Sequence, residues 1–181
     1  MNLPLTRFAI LFNSQIPEAE ALTGKISAYL ESLGAAIQAI RTIEDKTLRQ
    51  PIKKKEFEAL IVQGGDGTML RASHLCASAH MPIIGINLGS FGFLMELQRD
   101  EWEAYLPRLL KGEYRIEKRM LLEAEHFHQG TSRGSWLVVN EVVVCRGQHV
   151  RPIRLEAEVN GHHMASYVAD GLIAATPTGS T

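Results

Sequence analysis

The pentapeptide Gly64-Gly65-Asp66-Gly67-Thr68 follows the apolar run Phe57–Val62 and leads into Met69-Leu70-Arg71-Ala72. An apolar run, a glycine-rich turn and a helix-like stretch in direct succession are the layout of a phosphate-handling strand–loop–helix unit. Glycines at 64, 65 and 67 remove each Cβ that would hold the backbone away from a phosphate, and they permit positive φ without steric cost. Asp66 is the unusual member. A carboxylate repels phosphate, so inside such a loop it needs another task, and accepting the proton of a hydroxyl that attacks phosphorus is one. The alternative at this point is a helix cap in a plain tight turn.

Around this unit the chain alternates. Arg7–Phe12 reads as a buried strand closed by Asn13-Ser14. From Pro17 to Leu33, apolar residues at Ala21, Leu22, Ile26, Tyr29, Leu30 and Leu33 keep helical spacing, and Gly34 stands where a C-terminal cap belongs. Ala35–Ile40 reads as a second strand, residues 42–56 as a loop with a short helix, and 57–63 as the strand before the glycine turn. A helix over about 67–79, a strand over Pro82–Asn87 and an amphipathic helix over 98–111 complete this half. Alternation of this kind implies right-handed crossovers, a Rossmann-like parallel sheet and ligands at the carboxyl ends of the strands.

After Gly112 the pattern changes. Arg119–Phe127, Trp136–Val144, Ile153–Val159 and His163–Val168 are short apolar or alternating runs, and Asn160-Gly161 is a strong hairpin signal. The expectation is an α/β domain over 1–112 followed by an all-β antiparallel domain over 113–181. Gly171–Ala175 is a further apolar run that reads as a final buried strand. Four or so strands do not readily close a sandwich or barrel, and a last buried strand needs a cover, so the second domain is expected to be incomplete at Thr181.

Composition narrows the classes. The chain has 181 residues, 45% hydrophobic and 22% charged, which describes an ordinary soluble protein of one domain or two small ones. A net charge of −1 argues against nonspecific binding to nucleic acid or membrane surfaces. Lys53-Lys54-Lys55 reads as a solvated loop. Cys76 and Cys145 lack paired-ligand spacing and read as reduced, buried thiols of a cytoplasmic protein. No apolar stretch reaches membrane-spanning length, and the N-terminus carries no signal-peptide pattern. His126 with His128, and His162 with His163, lack a third ligand nearby and read as surface histidines; His74 receives no role.

Four segments together resemble the NAD kinases. Gly64–Thr68 matches that family's glycine–aspartate loop. Gly85-Ile86-Asn87-Leu88-Gly89-Ser90-Phe91-Gly92-Phe93-Leu94 resembles its second glycine-rich segment, with Phe91 where leucine is more usual. Asn140-Glu141-Val142-Val143 resembles its Asn-Glu segment, and Asp170-Gly171-Leu172-Ile173 with Thr176-Pro177-Thr178-Gly179-Ser180-Thr181 resembles a motif of its C-terminal domain. The resemblance implies transfer of the ATP γ-phosphoryl group to the 2′-hydroxyl of the adenosine ribose of NAD, with Asp66 as general base. It implies nucleotide contacts from Asp66, Gly67, Asn140, Glu141, Asp170 and Thr181, with Arg151 near phosphate. Phe93 would pack on a nicotinamide or adenine ring or else enter the core. Gly64, Gly65, Gly67 and Thr68 would form the phosphate loop. A divalent ion (Mg²⁺ or Mn²⁺) would bind mainly through substrate phosphates, with no protein ligand assigned. A homo-oligomer, dimer or tetramer, is expected, because Asp170's contact in such enzymes commonly crosses a subunit interface. Val168 stands where many members have Lys or Arg, so the resemblance implies one polar contact fewer here.

Other readings fit less well. Lipid kinases of the diacylglycerol or sphingosine type share the glycine–aspartate loop, but they carry a Gly-Thr-x-Asn-Asp segment where this chain has Asn87–Gly92. The β-rich second half does not suit a phosphofructokinase. No Gly-x-Gly-x-x-Gly follows the first strand and no Gly-Lys-Ser/Thr occurs, which disfavours a Rossmann dehydrogenase and a Walker-type NTPase. A non-catalytic nucleotide sensor is the alternative of a different class.

Overall fold

The computed structural model describes residues 2–89, 92–148 and 150–180. It falls into two compact units, Met1–Glu117 and Lys118–Thr181.

Five parallel strands form the first unit's sheet: β1 (Arg7–Phe12), β2 (Ala36–Thr42), β3 (Ala59–Gly64), β4 (Ile83–Asn87) and β5 (Leu97–Gln98), in the order β2-β1-β3-β4-β5. The helices are α1 (Ala19–Ser32), α2 (Arg49–Lys53), α3 (Asp66–Cys76) and α4 (Trp102–Leu110). Successive strand side chains point to opposite faces, and the core divides accordingly. Phe8, Ile10 and Ile61 pack with Leu22, Ile26, Trp102 and Leu106 under α1 and α4. Ala9, Leu11, Leu60 and Val62 pack with Ile52, Ala72 and Cys76 under α2 and α3. Because both faces are covered, β1 and β3 read as unbroken apolar runs rather than alternating ones.

Local chemistry ends the elements where expected. Gly34, at φ +89°, turns the chain out of α1, and the N–H of Ala35 returns to the Leu30 carbonyl. The amphipathic stretch expected as a helix over 98–111 is shorter, because Leu97–Gln98 pairs with β4 and the helix begins at Trp102. Pro107 lies inside α4 and cannot donate to the Glu103 carbonyl. The Tyr29 hydroxyl donates to that carbonyl instead, at 3.4 Å, while the Tyr29 ring meets Trp102 edge to face at 5.5 Å between centroids.

The second unit is all antiparallel: β6 (Leu122–His128) with β7 (Thr131–Val138), β8 (Glu141–Cys145) with β11 (Gly171–Ala175), and β9 (Ile153–Val159) with β10 (His162–Ala169). Among the described residues six strands stand where the sequence shows four runs and a final one over Gly171–Ala175, which is β11. Asn160 and Gly161 adopt positive φ in the β9–β10 turn, as their type requires, and Gln129-Gly130 does the same between β6 and β7. The single run expected over Trp136–Val144 is two strands. Val139 and Asn140 leave the ladder because their carbonyls are taken by Thr176, through its hydroxyl at 2.6 Å and its N–H at 2.8 Å.

One cysteine expectation is corrected. Cys76 is buried, but Cys145 is exposed at the end of a two-stranded ladder. Burial pushes the Cys76 thiol up to about 12, so near pH 8 it stays protonated and unreactive. A thiol-disulfide reagent at pH 8 should therefore titrate one thiol rapidly in the folded chain and two in guanidinium. Two rapid thiols in the folded state would mean that α3 does not seal Cys76 against the sheet.

Candidate active site

β3 and β4 end side by side, with Gly64 opposite Asn87, and the first functional cluster is built on those ends. The N–H of Leu88 donates to the Gly64 carbonyl at 2.8 Å. The N–H groups of Thr68 and Met69 donate to Gly65, so α3 begins directly at the turn. Thr68 is buried against Gly64, and a Cβ on Gly64 would overlap its side chain. Gly64 is thus required by the protein's own packing. Gly65 and Gly67 are different: a Cβ on either would meet no protein atom. Their bare backbone faces open space, as a loop approached closely by a ligand would.

Asp66 occupies the first position of α3, yet its side chain does not cap that helix. Oδ2 accepts the N–H of Phe93 at 3.0 Å and Oδ1 accepts the N–H of Leu94 at 3.1 Å. The chain after β4 therefore folds back over the glycine turn, and Gly92 lies so close that a Cβ there would fall on the carboxylate. The helix-cap alternative does not describe this side chain. A carboxylate has about four lone-pair positions, so two backbone donors orient it and leave acceptor capacity on both oxygens. Asn87 is buried, and its Oδ1 accepts the N–H of Gly89 at 3.2 Å, which shapes the start of the same segment. Phe93 is 81% exposed, so its alternative reading as a core residue fails.

Beside the turn, on the side away from Gly92, lies an open groove of about 240 Å³ lined by Asn13, Gln15, Gly65, Gly67, Thr68 and Arg71. Sequence reasoning missed Asn13, Gln15 and Arg71. A signal for the first two was present, because Asn13-Ser14-Gln15 closes a buried strand next to β3.

In the second unit, Thr176 organises a turn against Asn140. Its hydroxyl accepts the N–H of Gly179 at 3.1 Å, and a Cβ on Gly179 would fall on the Asn140 carbonyl. The Asn140 amide oxygen is buried without a hydrogen-bond partner among the described residues. Such an acceptor is costly to leave unpaired. Glu141 begins β8 and is exposed. Asp170 lies at the other end of the same ladder, paired with Arg146 at 2.8 Å. Gly171 faces Cys145 while Ala175 faces Glu141. At the usual rise these ends are roughly 14 Å apart, so one chain does not bring Asp170 to Asn140 and Glu141. Arg146, not foreseen from the sequence, is Asp170's partner. Arg151 is exposed in the segment before β9, and Thr181 lies outside the described residues. Among the described residues, no three His, Cys, Asp or Glu side chains cluster as a metal site.

The model of the ATP-NAD kinase N-terminal domain matches residues 6–114, and that of the ATP-NAD kinase C-terminal domain matches residues 139–181. The chain is 38% identical over 181 residues to the NAD kinase of Heliobacterium modesticaldum, covering 100% of this chain and 53% of that protein. It is 43% identical over 136 residues to that of Caldanaerobacter subterraneus subsp. tengcongensis, covering 75% and 47%. For that of Geobacter sulfurreducens the identity is 36% over 183 residues, covering 98% and 64%. The chain therefore spans about half to two thirds of the length of these relatives. Among solved structures, yeast NADH kinase complexed with NADH superposes with a TM-score of 0.81 at 19% identity, over 98% of this chain and 59% of that one. An NAD kinase from Archaeoglobus fulgidus in complex with ATP gives 0.71 at 22% identity, over 96% and 62%. At those identities the structural likeness speaks to the fold: a parallel sheet with helices, then antiparallel strands. With both domain models matched in order and the glycine–aspartate turn built as described, this chain belongs to the ATP-NAD kinase family.

Proposed function

We propose that this chain takes part in phosphorylating NAD to NADP, moving the γ-phosphoryl group of ATP, or of another phosphoryl donor, to the 2′-hydroxyl of the adenosine ribose. The observation that carries this reading is the Asp66 carboxylate, fixed by the N–H groups of Phe93 and Leu94 on the flank of an open glycine turn. A ribose hydroxyl is a weak nucleophile. Asp66 takes its proton as the new oxygen–phosphorus bond forms, and the bond to the leaving phosphate breaks, releasing ADP. Such general-base help is worth about 10²–10⁴-fold, so positioning and charge stabilisation carry the remainder.

The residues present fit a divalent ion that arrives on the donor's phosphates and keeps several waters, since no protein cage occurs among the described residues. Bound there, Mg²⁺ or Mn²⁺ would neutralise phosphate charge. Residues 1–112 then carry the phosphate turn, with Gly64, Gly65, Gly67 and Thr68, and residues 113–181 carry nucleotide contacts. The Asn140 oxygen, without a partner among the described residues, suits an N–H donor of the ligand, and the exposed Glu141 carboxylate suits the two vicinal ribose hydroxyls. Arg151 would approach phosphate, and the exposed Phe93 ring offers a stacking face to the nicotinamide or adenine. Asp170 stands at the far end of its ladder, which favours a contact to a second copy's nucleotide in a homodimer or homotetramer. Thr181 completes the proposed nucleotide set. A cytoplasmic location accords with this chemistry, and among the described residues no helix is long and apolar enough to cross a membrane.

Replacing Asp66→Asn should leave NAD affinity within a few-fold and lower turnover by at least about 10²-fold, read by titration calorimetry and a coupled NADP assay. Undiminished turnover would remove Asp66 from the mechanism. Gly92→Ala places a methyl against the carboxylate, so turnover should fall by roughly tenfold or more while the circular dichroism spectrum is unchanged. Glu141→Ala should raise the Michaelis constant for NAD, and an unchanged constant would leave Glu141 as an ordinary strand residue.

A further inference from the structure

The β9–β10 hairpin has two unlike faces. Successive side chains on a strand alternate, and the register sets Ile153 opposite Ala169, Leu155 opposite Tyr167 and Ala157 opposite Ala165 on one of them. All but Tyr167 of these are half-buried, whereas Arg154, Glu156, Ser166 and Val168 on the other face are exposed. Val168 is out of place there. It is an apolar side chain, 71% exposed, on the polar face of the hairpin, and it stands where the resemblance expects a lysine or an arginine.

Arg154 is the residue directly opposite Val168. Residues so paired carry their Cβ atoms roughly 4.5–5.5 Å apart on one face, so the Arg154 stem leaves the ladder beside a small neighbour that leaves it room. A long basic side chain can lie along such an apolar residue and keep its charged head in solvent. Arg154 forms no hydrogen bond or ion pair among the described residues. Glu156 shares its face but lies two residues along the same strand, roughly 7 Å away. Arg146, by contrast, is engaged with Asp170 at 2.8 Å. The pair Ile153–Ala169 closes the ladder and Asp170 follows at once. Arg154 therefore stands one residue inside the ladder end from which Asp170, a proposed nucleotide contact, departs.

The anionic groups of NAD are the phosphates of its pyrophosphate, and NADP adds the 2′-phosphate. Guanidinium–phosphate contacts are charge-assisted and often bidentate. We infer that Arg154 is a phosphate contact of the dinucleotide, supplying from β9 the positive charge that position 168 on β10 lacks. This assignment rests on the kinase reading.

Titration calorimetry with NAD and with NADP, on the whole chain and its variants, tests it. Arg154→Ala should weaken NAD by at least about tenfold and leave the circular dichroism spectrum unchanged. An equal loss for NADP assigns Arg154 to the pyrophosphate, and a larger one to the 2′-phosphate. Adding Val168→Lys to Arg154→Ala should restore affinity to within about threefold of the unaltered chain, whereas adding Val168→Gln should restore none. Unchanged affinity for both nucleotides in Arg154→Ala overturns the assignment, as does an absence of saturable binding to the unaltered chain. Failure of the lysine to restore binding, or recovery by glutamine, overturns the exchange of charge between the two strands. Arg154-dependent NAD binding without NADP formation from any donor would sink the kinase reading and leave Arg154 in place. NADP formation with an unchanged Michaelis constant for NAD in Arg154→Ala would do the reverse.

Discussion

Two backbone N–H groups, from Phe93 and Leu94, converge on the two oxygens of Asp66, and the arrangement of the first unit's site follows from that pair of bonds. They tie the segment after β4 across the end of β3, so the glycine turn is covered on one flank and open on the other. Gly92 must be bare for the segment to come this close, and Gly64 must be bare for Thr68 to tuck beneath the turn. A carboxylate held by main chain rather than by a long cation keeps its orientation without side-chain rotamer freedom to lose.

The second unit uses the same device with a different residue. Thr176 is fully buried and binds Val139, Asn140 and Gly179 through its hydroxyl and backbone. That interrupts what would have been one long strand, and just before β8 the buried Asn140 amide oxygen has no hydrogen-bond partner among the described residues. In both units a break in regular structure falls where polar groups gather. Backbone donors and acceptors released from a ladder are the ones available for a turn or a ligand.

Much of the first unit was legible because both faces of β1 and β3 are buried, which makes apolar runs continuous and their ends sharp. Gly34 and Asn160-Gly161 were legible because positive φ selects glycine and asparagine. The β6–β7 hairpin was not, since Gln129-Gly130 is a weaker signal for the same turn. β5 escaped notice because a strand of two residues has no period to detect. Cys145 was misjudged because a two-stranded ladder exposes residues that a larger sheet would cover.

For the site, the local order of residues was enough to single out Asp66 and the glycines, because a strand, a turn and a helix contiguous in sequence are contiguous in space, whereas Asn140 and Glu141 were singled out by the resemblance to the NAD kinases. Which way the Asp66 carboxylate points, that Arg71 and Asn13 share one groove, and that Asp170 pairs with Arg146 away from Glu141 were decided by tertiary structure alone. Each joins residues from different strands or loops, and strand order and ladder register set those distances. Hydrophobic periodicity reports which face of an element is buried, and it carries no information about which neighbour lies against it.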